Sequence, residues 1–335
     1  MSERGNSQGA PASTPTPTHT ELKPQDSAAE TITFGVEIET TVPLSAGIEV
    51  GGYHRGSPVT GGVDAVSGEM AAAPVFMGRA WRADYDASIV ARAGREVCEF
   101  VSPVLSGGEG VSHLLEFVRW AKRVGANVNA SCGLHITVGV RSIIGTEDPA
   151  AMAAFARRLA HITRWHAKSL FGQTGTGRHL GIYSRLFADD VGELMKKAEK
   201  TESVTEKAEA CRQCGRGMVN FRKLYSHGVI EFRVFAGTLN TAKMLHHLAT
   251  VLGLCRRAAE VECLGGFRRN AKQQKRTATA RDALRYLWDY LGWTGSRRDV
   301  ALGLFGELHG SFAAYRRVAE RMCRRFDSRF PNACL

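Results

Sequence analysis

Apolar and polar residues alternate in four separate stretches of this chain, and each sets an acid or a histidine among apolar positions. Residues 32–42 read Ile-Thr-Phe-Gly-Val-Glu-Ile-Glu-Thr-Thr-Val. In a strand, residues i and i+2 share a face, so Glu37 and Glu39 project together while Phe34, Val36 and Ile38 project the other way. Residues 95–103 alternate likewise and place Glu99 between Cys98 and Phe100. Residues 127–140 contain Cys132-Gly133-Leu134-His135-Ile136-Thr137-Val138, and residues 218–239 read as a hairpin turning near Ser226-His227-Gly228. Its second arm, Val229 to Phe235, puts Glu231 and Arg233 on one side.

Other stretches carry the helical period. Val111, Leu114, Leu115, Val118 and Ala121 predict a helix over 109–124. Asp148-Pro149 is a capping carboxylate followed by proline, and Met152, Phe155, Leu159 and Ile162 continue an apolar stripe behind it. Asn240 or Thr241 caps a further helix bearing Met244, Leu245, Leu248, Val251 and Leu252. Leu284, Leu287, Trp288 and Leu291 form a stripe at i, i+3, i+4 and i+7. Residues 44–79 are Gly-rich and aperiodic, which predicts a loop or flap, and they lack P-loop spacing. Strands not regularly interleaved with helices indicate an α+β fold with a largely antiparallel sheet and packed helices, not a doubly wound one.

Composition fits an enzyme-sized folded chain: 335 residues and 44% hydrophobic residues, without an apolar run long enough for a membrane span. Residues 1–30, rich in Ser, Thr, Pro and Ala, predict a disordered tail that does not read as a secretory signal. That reading, and eight cysteines in no compact disulfide framework, predict a cytoplasmic location. The formal net charge of +11 is concentrated in a C-terminal region, 261–335, expected to be helical and packed on a catalytic unit at 31–260. Its Arg268-Arg269, Lys272, Lys275-Arg276, Arg316-Arg317 and Arg324-Arg325 attract anions or simply form a solvated helical face.

The charged faces carry the chemistry. Glu37, Glu39, Glu99 and Glu231 gathered on one sheet would repel one another, and hard divalent cations with oxygen ligands offset that repulsion. His135 adds a nitrogen ligand that Mg²⁺ accepts and Mn²⁺ prefers. Arg233 beside Glu231 offers a fixed fork for phosphate oxygens. Separately, each piece also reads as a solvated strand face, a core histidine or a surface ion pair; together they are the parts of a metal–phosphate site.

At these residues the sequence resembles the amidoligases, a branch of the carboxylate–amine ligase superfamily that includes glutamine synthetase and glutamate–cysteine ligase. FGVEIE (34–39), CGLH (132–135) and IEFRVFAGTLN (230–240) match its strand motifs. Glu99-Phe-Val-Ser-Pro103-Val-Leu-Ser-Gly107 resembles its EVVSPxLSG stretch, and Trp81 to Ser88 its W-x(4)-D-x-S element. The five motifs occur in order over about residues 31–260. The resemblance implies a glutamine-synthetase-like catalytic sheet, ATP bound through Mg²⁺, and amide formation through an acyl phosphate. It implies that Glu37, His135 and Glu231 hold a metal near the transferring phosphate, and Glu39 and Glu99 one nearer the acceptor carboxylate. Arg233 would contact the γ-phosphate, and Arg178, in a Gly-rich loop, would be a second cation for phosphate or substrate carboxylate. Asn220 and Thr238 would shape the site. Two positions depart from the family pattern: Thr137 stands where a second histidine is usual, and Ala87 replaces the glycine of DGS.

The implied substrates are a small-molecule or peptide carboxylate and an amine, with no membrane partner. The alternative is a non-catalytic module that binds nucleic acid or acidic peptides through the basic C-terminal region. A ligase requires the six strand residues to converge in one cleft; the module does not. Cys211-x-x-Cys214 is a single pair without a second, so structural zinc is a minor reading. Cys132 has no evident base beside it, and His246-His247 lie in an apolar helix that favours a structural role.

Overall fold

The computed structural model of the chain describes residues 32–181, 184, 186, 191–261, 279–294, 312–333 and 335. The expected tail at 1–30 and the basic cluster at 268–276 lie outside the described residues.

An antiparallel sheet forms the centre. Its strands are β1 (Thr33–Pro43), β2 (Ser57–Pro58), β5 (Arg82–Asp84), β6 (Arg95–Val101), β7 (Leu105–Ser106), β8 (Gly133–Gly139), β9 (Val219–Asn220) and β10 (Val229–Ala236). They lie in the order β2-β5-β6-β1-β8-β10-β9, with β7 also pairing β1. A small hairpin, β3 (Gly61–Val63) and β4 (Met70–Ala72), stands apart. The register explains the segregation of charge. Glu99 is the cross-strand partner of both Asp84 and Glu39, and Glu37 pairs with His135, Glu231 with Thr137, and Glu231 with Asn220. Partners in an antiparallel pair project to the same face. The intervening rows (Ala83, Phe100, Ile38, Leu134, Phe235, then Val36, Ile136, Phe232) face the other way and are buried.

That apolar face is covered by α1 (Gly107–Arg123) and α8 (Thr241–Glu260). Phe117 of α1 stacks on Trp81 at 3.6 Å between centroids and meets Phe100 edge-on at 5.2 Å. From α8, the His247 ring lies over Phe235 at 4.1 Å. Around these pack α2 (Val140–Ile144), α3 (Pro149–Trp165), α4 (Ala167–Gly172), α5 (Val191–Lys200), α6 (Val204–Gln213) and α7 (Leu224–His227). The last two helices are α9 (Ala280–Tyr290) and α10 (Phe312–Arg329). The caps act as their residue types dictate: Asp148 accepts from Ala151 N at the start of α3, and Asn240 accepts from Lys243 N at the start of α8. The fold is mixed α+β with packed helices and an antiparallel sheet.

Three elements differ from the sequence expectation. Strand β8 begins at Gly133, because residues 127–132 form a bridge to Thr41 and then a turn in which Cys132 N bonds Asn129 O. The arms of the 218–239 hairpin are joined by helix α7, ended by Gly228 in the left-handed region, instead of a tight turn. Residues 59–79 are a packed element: Val59, Ala71 and Phe76 are buried, and Trp120 of α1 donates its indole N–H to Ala71 O. They are anchored over α1, on the side of the sheet away from the carboxylates. Residues 51–57 border the acidic row, through β2, the Gly51–Asp84 bridge and the approach of Gly56 to Asp84.

No helix among the described residues is long and apolar enough to cross a membrane.

Candidate active site

Strand pairing brings Glu37, Glu39, Glu99, His135, Glu231 and Arg233 to one face. His135, 1% exposed, is the centre of the group. Its Nδ1 lies 3.1 Å from Glu37 Oε2, 3.5 Å from Glu231 Oε1 and 3.9 Å from Glu99 Oε1, and its Nε2 lies 3.2 Å from Glu39 Oε1. Glu39 is held from its other side by the backbone N–H of Gly133. Glu231 accepts from Asn220 Nδ2 at 2.8 Å and from Arg233 Nη1.

Arg233 reaches this position through a bulge. Phe232 pairs with Ile136 and Phe235 with Leu134, so Arg233 and Val234 together oppose His135. The extra residue returns Phe235 to the core while leaving the guanidinium on the acidic face.

Two groups of carboxylates and imidazole have ligand atoms within 4.8 Å of one another: Glu37, Glu99 and His135, and Glu39, Asp86 and Glu99. Glu99 is common to both. Burial and the neighbouring Glu37, Glu39, Asp86 and Asp84 push its carboxyl up to about 9. Glu37 experiences burial too, which raises its carboxyl, but the His135 hydrogen bond and the charges of His135, Lys223 and Arg233 outweigh that and hold it at about 2. Two adjacent carboxyls are thus driven apart, and a bound cation would let both ionise.

The same observations test the fit of a metal. His135 Nε2 is buried with no hydrogen-bond partner, although Glu39 lies near it. An oxygen-rich donor set with one imidazole suits Mg²⁺ or Mn²⁺. The residues fit.

Arg178 joins the site from outside the sheet. A Cβ built on Gly133 would stand 2.3 Å from Arg178 Nη2 and 3.1 Å from His135 Nε2, so the guanidinium lies across the bare backbone of that glycine. Burial lowers its basicity and the Glu39 charge restores part of it. Gly133→Ala is therefore expected to expel the guanidinium and cost about tenfold or more in turnover, with the sheet intact. Wild-type turnover in that variant would show that the contact across Gly133 is irrelevant to the chemistry.

Sequence reasoning placed Glu37, Glu39, Glu99, His135, Glu231, Arg233 and Arg178, and the structure brings all seven together. It passed over Asp86, named only within a motif, and Asp84. Asp84 is 1% exposed, pairs with Glu99, and has its carboxyl raised by burial. The exposed Lys223 near Glu37 was missed as well. Thr238 is buried and accepts from Asn240 N at 3.1 Å, beside the start of α8. Cys211 and Cys214 are buried, and neither belongs to the candidate metal groups among the described residues. His246 accepts from the Trp288 indole at 3.2 Å and is buried with His247 in the helical layer.

Comparison with known proteins bears on this site. Residues 30–254 match the family described as "Putative amidoligase enzyme". No curated protein matches the chain. Among solved structures, a bifunctional glutathione synthetase from Pasteurella multocida is similar at 11% identity and a TM-score of 0.35, over 91% of this chain and 53% of that one. The chain thus spans about half the length of that protein. The family match covers well over half of the sequence and includes all seven converging residues, from Glu37 to Arg233: the chain belongs to the amidoligase family.

Proposed function

We propose that this protein is an ATP-dependent carboxylate–amine ligase that forms an amide through an acyl phosphate, on a glutamine-synthetase-like catalytic sheet within residues 31–260. The observation that carries the reading is the convergence of four glutamates, one histidine and two arginines on one sheet face, in a chain of the amidoligase family. The binding-module alternative requires no such convergence.

In this reading Glu37, His135 and Glu231 serve a Mg²⁺ ion near the transferring phosphate, and Glu39 and Glu99, with Asp86, one nearer the acceptor. Bound there, Mg²⁺ would neutralise the charge of the ATP phosphates. The chain's own residues do the rest. Arg233, held by Glu231, presents N–H groups to the γ-phosphoryl oxygens, and Asn220 keeps Glu231 aligned for that task. Arg178 supplies a second cation at the acceptor end. An oxygen of the substrate carboxylate attacks the γ-phosphorus and ADP departs with the bridging oxygen. The amine nitrogen then attacks the acyl carbon, inorganic phosphate leaves and the nitrogen gives up a proton. The result is one amide bond per ATP. The buried Cys98, Cys132, Cys211, Cys255 and Cys323 suit a cytoplasmic enzyme.

The test is ADP release with Mg²⁺ across a panel of carboxylates and amines, including glutamate, small acids, peptides, ammonia, amino acids and polyamines, with mass spectrometry of the products. ADP release that needs both a carboxylate and an amine, with a product lighter by one water than their sum, is the expected result. A panel without such a pair, alongside salt-dependent nucleic-acid binding that survives Glu37→Ala, would favour the binding module.

A further inference from the structure

The two C-terminal helices pack against a loop that carries Arg178 to the active face. Residues 172–181 run on from Gly172, the last residue of α4, and carry Arg178 in a short 3₁₀ turn, Arg178–Leu180. Gly175 has φ +64°, and a Cβ there would stand 3.1 Å from Met322 Sδ and 3.3 Å from Met322 O of α10. A Cβ on Gly177 would stand 3.3 Å from Phe330 Cζ. The His179 ring meets Phe330 edge-on at 4.8 Å and Phe326 at 5.1 Å between centroids. At the base of the loop, a Cβ on Gly172 would come 2.6 Å from Ala280 Cβ of α9 and 3.1 Å from Cys323 Sγ of α10. Arg329 Nη1 reaches Gly175 O at 3.5 Å. Every one of these partners lies between residues 280 and 330, beyond the segment 30–254 that matches the family.

Within the loop the Arg178 carbonyl accepts from Gly181 N at 3.0 Å and Ser184 Oγ at 2.7 Å, which fixes its backbone. Its side chain then crosses Gly133 toward His135 and Glu39. The guanidinium Nε is buried and has no hydrogen-bond partner. A side chain whose Nε makes no bond to anchor it depends for its position on the backbone beneath it.

We propose that α9 and α10 clamp the 172–181 loop and thereby position Arg178 over the metal-ligand face, with Phe326 and Phe330 as positioning residues. The C-terminal helices are then a working part of the active site, supplied by this chain from outside the family's shared segment. The kinetic readout of this inference rests on the ligase reading; the geometric readout does not.

The test is a double-mutant cycle on the full chain with Phe330→Ala and Arg178→Ala, read by turnover and by amide hydrogen exchange. Phe330→Ala alone should lower turnover about tenfold, and in the Arg178→Ala background it should change turnover less than about twofold. Amides at 177–181 should exchange at least about tenfold faster in Phe330→Ala, while those of β8 and β10 keep their protection. Phe330→Leu, which keeps an apolar side chain beside His179 and adds no atom at the Cζ position facing Gly177, should restore most of both. Should Phe330→Ala loosen the whole protein, His179→Ala removes the same contact from the loop side and replaces it in the cycle. Additive losses, or unchanged exchange at 177–181, would overturn the clamp. If wild type forms no amide from any carboxylate–amine pair, the ligase reading fails, and the exchange data still decide the clamp.

Discussion

Replacing Glu99 by glutamine is expected to lower Mg²⁺-dependent turnover by a factor on the order of 10³ while raising the melting temperature of the cation-free protein. Both effects follow from its position. Glu99 is the only residue shared by the two candidate metal groups, so a neutral amide there weakens both at once. Loss of about 4 kcal/mol of charge stabilisation corresponds to that factor. Without a cation, however, the ionised carboxylate is a burden: burial and four neighbouring acids push its carboxyl up to about 9. A group whose folded value is raised contributes stability that is complete below its unfolded value of about 4.3 and is lost as pH rises through about 9. Cation-free wild type should therefore melt progressively lower between about pH 5 and pH 9, and Glu99→Gln should flatten that decline. Each kcal/mol recovered at neutral pH is worth roughly 2–4 °C in a domain of this size. Added Mg²⁺ should raise the wild-type melting temperature most at high pH and that of the variant little. Wild-type turnover in Glu99→Gln, or a cation-free variant that melts below wild type throughout that range, would remove Glu99 from the site.

The strand faces were legible because a period of two leaves few choices. Once Phe34, Val36 and Ile38 are assigned to the core, Glu37 and Glu39 must leave on the other side, and the same holds for Glu99 against Cys98 and Phe100. Which strands neighbour which is another matter. Nothing in residues 82–84 announces that Asp84 pairs with Glu99, since cross-strand register is set by hydrogen bonding between segments remote in sequence. Asp86 was harder still, because it follows the end of β5 and its approach to Glu39 and Glu99 owes nothing to strand alternation. The bulge did leave a trace. Val234 and Phe235 are adjacent apolar residues that break the alternation, and a strict period of two would send Phe235 to the acidic face. Arg178 illustrates the other limit. A Gly-rich loop indicates freedom, but here its glycines are needed for close approach to α9 and α10, helices distant in sequence. Residues 59–79 misled for the same reason: their glycines admit tight strand and helix contacts, as where Gly62 meets Val124 and Ile48.

Arg233→Lys should reduce turnover by about 10²–10³ with little change in fold, and Arg233→Ala should also destabilise the protein. The difference lies in what each leaves behind. Arg233 is bonded to Glu231 and feels the charges of Glu37 and Glu39, which together outweigh the burial that disfavours its own charge. Lysine keeps the positive charge beside Glu231, so the buried carboxylate retains a counter-ion. A point ammonium cannot, however, hold Glu231 and present a planar fork to phosphate at the same time. Alanine removes the counter-ion altogether and leaves Glu231, 6% exposed, with Asn220 and a surrounding field of acids. Breaking a buried pair from one side typically costs about 3–5 kcal/mol. Adding Glu231→Gln to Arg233→Ala should therefore recover most of the stability and none of the turnover. Urea denaturation of the single and double variants, with ADP release measured on the same preparations, separates the two effects. Near-wild-type turnover in Arg233→Lys would show that only charge is needed at this position and would remove the fork from the mechanism. An unstable double variant would show instead that Arg233 supports the sheet through contacts other than Glu231.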